Sequence, residues 1–275
     1  MCAIPTIDES EANAETLRRC LAREGAVLIT SEPGDAEGVA IRRLVAAAGT
    51  AEDHNADGQR VWHVRFDANA GEGAARSRTM KAFPYHTDAS FEEPVPRGVA
   101  LYAVRADCYG AGELLLQKTA DVLRRVSAAT RRVLRQPVFR FRVPAEFDKG
   151  VADRTLPILL GDNLIRYRRE IIDERGLTPA RAWALGELDW AIANGTPIRL
   201  FLPSGMILLF DNARFLHSRT APRDPERHLL RMRFTFRVVD GVGPLATGRD
   251  DSSFQWTPQG RAGSRAFAPT VSARR

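Results

Sequence analysis

The stretch Pro84-Tyr85-His86-Thr87-Asp88-Ala89-Ser90-Phe91 places an imidazole and a carboxylate two residues apart. In an extended segment, residues i and i+2 project to the same side, so His86 and Asp88 can both reach one metal ion. The third ligand must come from a distant strand, because no local segment closes the triangle. His217 is the candidate, since it follows the apolar run 206–210. Two imidazoles and one carboxylate make up the facial triad that holds a non-haem Fe(II) ion.

Two arginines, Arg227 and Arg231, lie four residues apart where the chain enters a second apolar run, 229–239. A 2-oxoglutarate molecule chelates iron through its keto-acid end, so its far carboxylate needs a cation. Arginine offers a planar fork that binds a carboxylate through two hydrogen bonds. Each group also has a structural alternative. His86 and Asp88 could form a surface strand end, and His217 could be a hydrogen-bonded core histidine. Arg227 and Arg231 could be ordinary arginines at a strand edge.

Three segments together resemble the taurine dioxygenase (TauD/TfdA) and clavaminate synthase-like family. The first is the stretch 84–91, and the second is Asp211-Asn212-x-Arg214-x-x-His217-x-Arg219-Thr220. The third, Arg227-His228-Leu229-Leu230-Arg231, is similar to the closing Arg-x-x-x-Arg signature of that family. The resemblance covers roughly residues 60–240. Taken jointly, the motifs are specific to the family but not to a substrate.

The resemblance implies a mainly β fold with flanking helices (α+β), built on a double-stranded β-helix (jelly-roll) core with helices packed on one side. It implies that His86, Asp88 and His217 are the catalytic iron ligands. One arginine of the closing pair should bind the 2-oxoglutarate carboxylate. The register of the signature indicates Arg227, whereas the distance from the last iron ligand indicates Arg231. The other arginine would then face the substrate.

One position departs from the family pattern. Many relatives carry a threonine in the strand after the Gly-rich turn, where its hydroxyl bonds the 2-oxoglutarate carboxylate, but this chain has Leu114. Either another hydroxyl substitutes, or the anion relies on arginine alone. Arg219 is a candidate to support the metal ligands from behind. Arg166, Tyr167 and Arg168 either line the pocket from a neighbouring strand or form a solvated strand face.

The ligand set and the arginines predict an oxygenase that uses Fe(II), 2-oxoglutarate and O2 and releases succinate and CO2. It would oxidise an unactivated C–H bond by hydroxylation, desaturation or cyclisation. The second arginine suits a carboxylate or a sulfonate, which favours an amino-acid-like or carboxylate-bearing small molecule of secondary metabolism. The alternatives are an iron enzyme of the same fold that does not use 2-oxoglutarate and a non-catalytic binding module.

Charge and cysteine usage limit the other partners. The formal net charge is +6, but the basic residues are spread along the chain. Nucleic-acid binding calls for a basic cluster and a recognised module, so none is expected. The cysteines, Cys2, Cys20 and Cys108, lack paired spacing, which favours reduced thiols in the cytoplasm. No signal peptide or membrane-spanning run is evident.

The apolar patterning predicts one domain over residues 1–240, followed by a loosely ordered tail over 241–275. Helices are expected at 11–24 and 35–48, and from the N-cap Thr178 with Pro179 through residue 193. Thr119 is expected to cap a further helix. Strands are expected at 98–106, 113–117, 156–160, 164–168, 206–210 and 229–239, among others, and many strands with one inserted helix favour a barrel-like β fold.

Overall fold

A computed structural model describes residues 4–54, 58–71, 75–144, 147 and 150–236. Extended segments with apolar residues on both faces dominate this part of the chain. This part of the chain contains thirteen strands and five α-helices. The strands are β1 (Thr6–Asp8), β2 (Ala26–Thr30), β3 (Gly49–Glu52), β4 (Trp62–Arg65), β5 (Phe83–His86), β6 (Gly98–Arg105), β7 (Leu114–Lys118), β8 (Phe139–Arg142), β9 (Asp153–Leu156), β10 (Ile198–Leu200), β11 (Met206–Asp211), β12 (Phe215–Arg219) and β13 (His228–Phe236). The helices are α1 (Ala14–Arg23), α2 (Val39–Ala48), α3 (Thr119–Leu123), α4 (Ala128–Leu134) and α5 (Pro179–Ala193).

Two sheets form the framework. The larger sheet has the strand order β1-β2-β11-β6-β13-β3, and β4 also pairs with β13. The smaller sheet has the order β10-β7-β12-β5, while β8 and β9 form a separate pair. Apart from the parallel pair β1–β2, the strand pairs are antiparallel. The mainly β fold with flanking helices and a jelly-roll core, as predicted, is confirmed.

Side chains that alternate between the two faces of the larger sheet contribute to two different cores, one between the sheets and one on its outer face. In β6, Val99 and Leu101 pack with Leu114 and Leu116 of the smaller sheet. The intervening Tyr102 packs in a second core with residues of α1 and α2. Because successive strand residues point to opposite faces, both faces of the larger sheet are apolar and buried.

Helices cover both sheets. Helices α1 and α2 pack on the outer face of the larger sheet, whereas α3, α4 and α5 form a third core that includes Leu216 of β12. The expectation of helices on one side is therefore wrong, because Leu216 gives the smaller sheet an apolar outer face as well. Helix α5 begins as predicted: the Thr178 hydroxyl accepts from the Arg181 amide, and Pro179 occupies the first turn.

Two predicted strands and one predicted helix cap differ from the structure. The segment 164–168 is not a strand; its backbone bonds to separate partners, such as the Ala213 carbonyl at 3.0 Å from the Ile165 amide. Strand β9 begins and ends earlier than the predicted strand 156–160. Thr119 does not cap α3, whose N-cap is Lys118. Its hydroxyl instead donates to carbonyls of Asn163 and Arg214.

Among the described residues, no helix is both long and apolar enough to cross a bilayer. The predicted tail, 241–275, lies outside the described residues, so its order stays a prediction. The extent of the single domain, 1–240, likewise stays a prediction.

Candidate metal centre

The three predicted metal ligands lie together. One ligand atom from each of His86, Asp88 and His217 falls within 4.8 Å of the others, and all three side chains are buried. The Asp88 Oδ1 atom lies 3.6 Å from Nε2 of His86 and 3.8 Å from Nε2 of His217. Two atoms that each bind one ion at about 2.1 Å are at most about 4.2 Å apart, so these separations suit a shared metal.

Strand pairing brings the ligands together from distant parts of the sequence. His86 is the last residue of β5, and its backbone lies opposite His217 of β12. Asp88 follows just past the strand end, where Asn212 fixes it: the Asn212 Oδ1 accepts from the Asp88 amide at 2.7 Å, and its Nδ2 donates to the Asp88 carbonyl at 2.9 Å. Asn212, a fully buried residue, thus connects the two iron segments.

The protonation states suit metal binding. The Nδ1–H of His86 donates to the Pro84 carbonyl at 2.8 Å, which leaves the Nε2 lone pair for a metal. Burial lowers the pKa of His86, and burial together with the neighbouring His86 lowers the pKa of His217 well below its usual value. Burial alone would raise the pKa of Asp88, but the Arg231 guanidinium and the two imidazoles hold it well below its usual range. Neutral imidazoles and an ionised carboxylate are the forms that bind a metal.

An unpartnered carboxylate oxygen at the centre supports the same fit. Within the described part of the chain, the buried Oδ2 of Asp88 has no hydrogen-bond partner. Buried polar groups are usually satisfied, so an acceptor without a donor at a triad of ligands indicates a cation. The residues present therefore fit Fe(II).

Two cavities open from the triad. Cavity A is lined by residues of both sheets that include His86, Leu114, His217, Arg219, Arg227 and Arg231. Cavity B is lined by residues that include Arg76, Phe83, His86, Asp88, Arg168, Arg231 and Arg233. Because His86 and Arg231 line both, the cavities meet at the metal centre.

Arg227 lies in cavity A and is buried. Among the described residues, its hydrogen bond is a long contact of 3.5 Å from Nη2 to the Gly112 carbonyl. Burial, followed by the charge of Arg219, lowers the pKa of Arg227 to about 10. A Cβ at position 112 would lie 3.0 Å from the Arg227 Nε, so the glycine there leaves room for the Arg227 side chain. A weakly paired buried cation favours an anionic ligand.

Arg231 lies at the other end of the signature and is already engaged. Its Nη1 donates to the Asp88 Oδ1 at 2.9 Å. Residues 229, 231 and 233 share one parity along β13, and Leu229 packs in the core between the sheets. Arg231 and Arg233 therefore face the interior, next to the metal centre.

The structure also shows where the other candidate residues lie. Arg219 lies opposite Leu114 on the neighbouring strand and lines cavity A, with Nη2 donating to the Thr79 and Lys81 carbonyls. Arg168 lines cavity B, whereas Arg166 is fully buried and pairs with Glu93. Sequence reasoning missed Arg233 and Arg76. The strand period of two, counted from Arg231, is the signal for Arg233; Arg76 lies in an irregular segment without such a signal.

The remaining histidines lie outside the metal centre. His54 is fully buried, and its Nε2–H donates to the Arg231 carbonyl at 3.3 Å. His63 and His228 hydrogen-bond to each other at 2.9 Å and stack. A separate cavity of about 510 Å³ beside them is lined by mostly exposed residues and contains none of the predicted ligands or closing arginines.

Comparison with known proteins identifies the class. Residues 4–146 match the sequence profile described as "Taurine catabolism dioxygenase TauD, TfdA family", and the match includes His86 and Asp88. The chain belongs to this family. It is accordingly an Fe(II)- and 2-oxoglutarate-dependent dioxygenase, as the sequence motifs predicted.

Solved structures share the fold. An asparagine oxygenase in complex with Fe(II), 2S,3S-3-hydroxyasparagine and succinate is 22% identical, with a TM-score of 0.65 over 84% of this chain and 93% of that chain. The non-haem iron oxygenase OrfP in complex with Fe and alpha-ketoglutaric acid is 16% identical, with a TM-score of 0.64 over 84% of this chain and 94% of that chain. No curated protein matches the chain. At these identities the likeness supports the fold.

Proposed function

We propose that His86, Asp88 and His217 hold Fe(II) and that Arg227 binds the far carboxylate of 2-oxoglutarate in cavity A. The observation that carries this assignment is the contrast between the closing arginines. Arg231 pairs with Asp88 at 2.9 Å, whereas Arg227 is buried with one long contact of 3.5 Å. The less satisfied cation is the one that gains more from a carboxylate.

The residues around the iron have separate tasks. Bound iron, with 2-oxoglutarate and O2, supplies the oxidising power to oxidise an unactivated C–H bond, and succinate and CO2 leave. Pro84 orients the His86 ring, and Asn212 fixes the Asp88 backbone. The Arg231 guanidinium keeps Asp88 ionised, so that this carboxylate stays a ligand. Leu114 offers no hydroxyl in cavity A, which Arg219 lines as a further cation beside Arg227.

The substrate, we propose, is a small amino-acid-like or carboxylate-bearing molecule that enters through cavity B. The arginines of that cavity support an anionic substrate. Two similar structures carry hydroxylated amino acids, namely 3-hydroxyasparagine in one and (3S)-hydroxy-L-Arg in the other. A role in secondary metabolism and a cytoplasmic location are part of the proposal, the latter supported by cysteines without paired spacing. Nucleic acid and membranes are not proposed as partners.

Anaerobic absorption spectroscopy tests the assignment. Adding Fe(II) and then 2-oxoglutarate to the metal-free protein should produce the weak visible charge-transfer band of the chelate, and His217→Ala should abolish it. An Asp88→Ala variant that still oxidises its substrate would contradict the iron assignment. A protein that binds iron without producing the band would indicate an iron enzyme of the same fold that does not use 2-oxoglutarate. Failure to bind iron at all would leave a binding module.

A further inference from the structure

Cavity B is lined by four arginines. A substrate with a single carboxylate would need fewer cations than this. The four arginines are Arg76, Arg168, Arg231 and Arg233, and they surround the His86 and Asp88 end of the metal centre. Whether the cavity favours an anion therefore depends on which of these guanidinium groups are already paired with carboxylates of the fold.

Three of the four arginines have a carboxylate within 3 Å. Arg231 pairs with Asp88 at 2.9 Å, and Arg233 pairs with Glu92 at 2.8 Å. Arg76 pairs with Glu170 at 2.6 Å. These contacts compensate the charges of the three guanidinium groups within the fold.

Arg168 differs from the other three. Its nearest described carboxylate is Glu170, at 3.5 Å, and Glu170 is already bound at shorter distance by Arg76. The Arg168 side chain is 14% exposed, and its buried Nε has no hydrogen-bond partner among the described residues. A guanidinium removed from water to this degree is costly without an anion.

Arg168 also lies close to the reaction centre. Its backbone forms a β-bridge with His86. Its guanidinium lies over the Phe83 ring at 5.3 Å, and that ring stacks on the His86 ring at 3.8 Å between centroids. An anionic group that bound Arg168 would therefore hold the rest of a small substrate beside the metal ligands.

We infer that the substrate carries two anionic groups and that Arg168 binds the second of them, which makes it a small dianionic acid such as an acidic amino acid. This inference rests on the proposed function. The shared chemistry of the second group is that of a carboxylate, sulfonate or phosphate. The first group is the carboxylate that the proposed function already gives to the substrate. Arg168 is thus a specificity-determining residue of cavity B.

Matched ligand pairs test the inference. The Fe(II) and 2-oxoglutarate complex is titrated anaerobically with aspartate against asparagine, glutamate against glutamine, cysteate against serine, and phosphoserine against serine. Binding is followed by the change in the visible band and, independently, by calorimetry. The best acid should bind at least about tenfold tighter than its neutral counterpart, since a charge-assisted hydrogen bond contributes that much. Which acid binds best distinguishes carboxylate, sulfonate and phosphate.

The variants separate recognition from folding. Arg168→Gln should reduce the preference for the acid to within about threefold and leave 2-oxoglutarate binding unchanged. Arg168→Lys should retain part of the preference, because it keeps the charge without the planar fork. Arg135→Gln at the C-cap of α4, which breaks an exposed ion pair with Asp162, is the matched control and should change neither affinity.

The outcomes distinguish this inference from the proposed function. A wild-type protein that binds the amides as tightly as the acids, or binds no acid of the panel, overturns the dianionic substrate, while an intact band keeps the 2-oxoglutarate assignment. An acid preference that survives in Arg168→Gln overturns the role of Arg168. An absent band with an Arg168-dependent acid preference in calorimetry supports the inference and contradicts the proposed cosubstrate.

Discussion

At the scale of single residues, the two closing arginines differ in what each already binds. Arg227→Gln is expected to raise the dissociation constant of 2-oxoglutarate by about 30-fold, because it removes a charge-assisted contact worth about 2 kcal/mol. Iron binding should persist, since Arg227 does not contact the triad. Anaerobic titration of the visible band measures the effect. A larger loss in Arg231→Gln, with iron still bound, would reverse the assignment of the two arginines.

The leucine at position 114 gives a second test in the same cavity. Leu114→Thr places a hydroxyl on a strand residue that lines cavity A opposite Arg219. We expect 2-oxoglutarate to bind about two- to tenfold tighter, because one hydrogen bond contributes about 0.5–1.5 kcal/mol. Leu115→Thr makes the same chemical change on the other face of β7 and is the control. Equal affinities in the two variants would show that the hydroxyl does not reach the anion.

Residue patterns predicted which three side chains meet at the candidate metal centre, because metal chemistry restricts the residue types and their spacing. The spacing of His86 and Asp88, and the distant His217, needed no knowledge of the fold. The choice between Arg227 and Arg231 did need it. The register of β13 against β6 shifts between His228 and Leu229, and no local sequence feature marks that irregularity.

At the scale of elements, strands with neighbours on both sides were predicted well, and irregular buried segments were not. The run 206–210 became β11, which pairs with β2 and β6. The predicted strand 164–168, which contains Arg166 and Arg168, stays irregular because its backbone bonds reach single, separate partners, such as the Thr87 hydroxyl at 3.0 Å from the Tyr167 amide. The periodicity of apolar residues indicates which positions are buried, but it does not indicate which strand is available for pairing.

The pairing of β6 with β13 gives a prediction of its own. Gly98 lies opposite Phe234, and a Cβ at position 98 would come within 2.5 Å of the Phe234 ring. Gly98→Ala is therefore expected to lower the free energy of unfolding by about 1–3 kcal/mol, because the ring must move in a filled core. Urea unfolding of the metal-free protein measures the change.

A glycine in open space provides the matched control. Gly186 lies within α5, and a Cβ there would meet nothing within 4 Å. Gly186→Ala should raise the free energy of unfolding by about 0.5–1 kcal/mol, since alanine is the better helix former. If both variants changed stability in the same direction, close packing against Phe234 would not be the cause of the Gly98 effect.

At the scale of the whole molecule, the site depends on charges that meet only after folding. Cavities A and B are lined from both sheets and from the segments before and after β5. The sequence shows the arginines but not the carboxylates that they pair with. It therefore could not predict that Arg233 has a carboxylate at 2.8 Å, whereas that of Arg168 lies at 3.5 Å. The excess of positive charge in cavity B is therefore a property of the fold.

The dependence of stability on pH follows from a histidine behind this site. Burial, and after it the charges of Arg231 and Arg233, lowers the pKa of His54 from 6.5 to about 3. Below pH 6.5 the unfolded chain binds a proton at His54 that the folded protein does not bind. The free energy of unfolding should therefore fall as the pH falls, by up to about 1.4 kcal/mol per pH unit from this residue, until the pH nears the folded pKa.

Urea unfolding of the metal-free protein between pH 6 and pH 4.5 measures this slope. In His54→Gln, whose amide can still donate to the Arg231 carbonyl, the slope should be smaller by about 1.4 kcal/mol per pH unit. His63→Gln is the matched control: burial also lowers the pKa of His63, but its ring is exposed, so its share of the slope should be smaller. Equal slopes in the wild type and in His54→Gln would mean that His54 takes up its proton in the folded state, despite its burial and the neighbouring charges of Arg231 and Arg233.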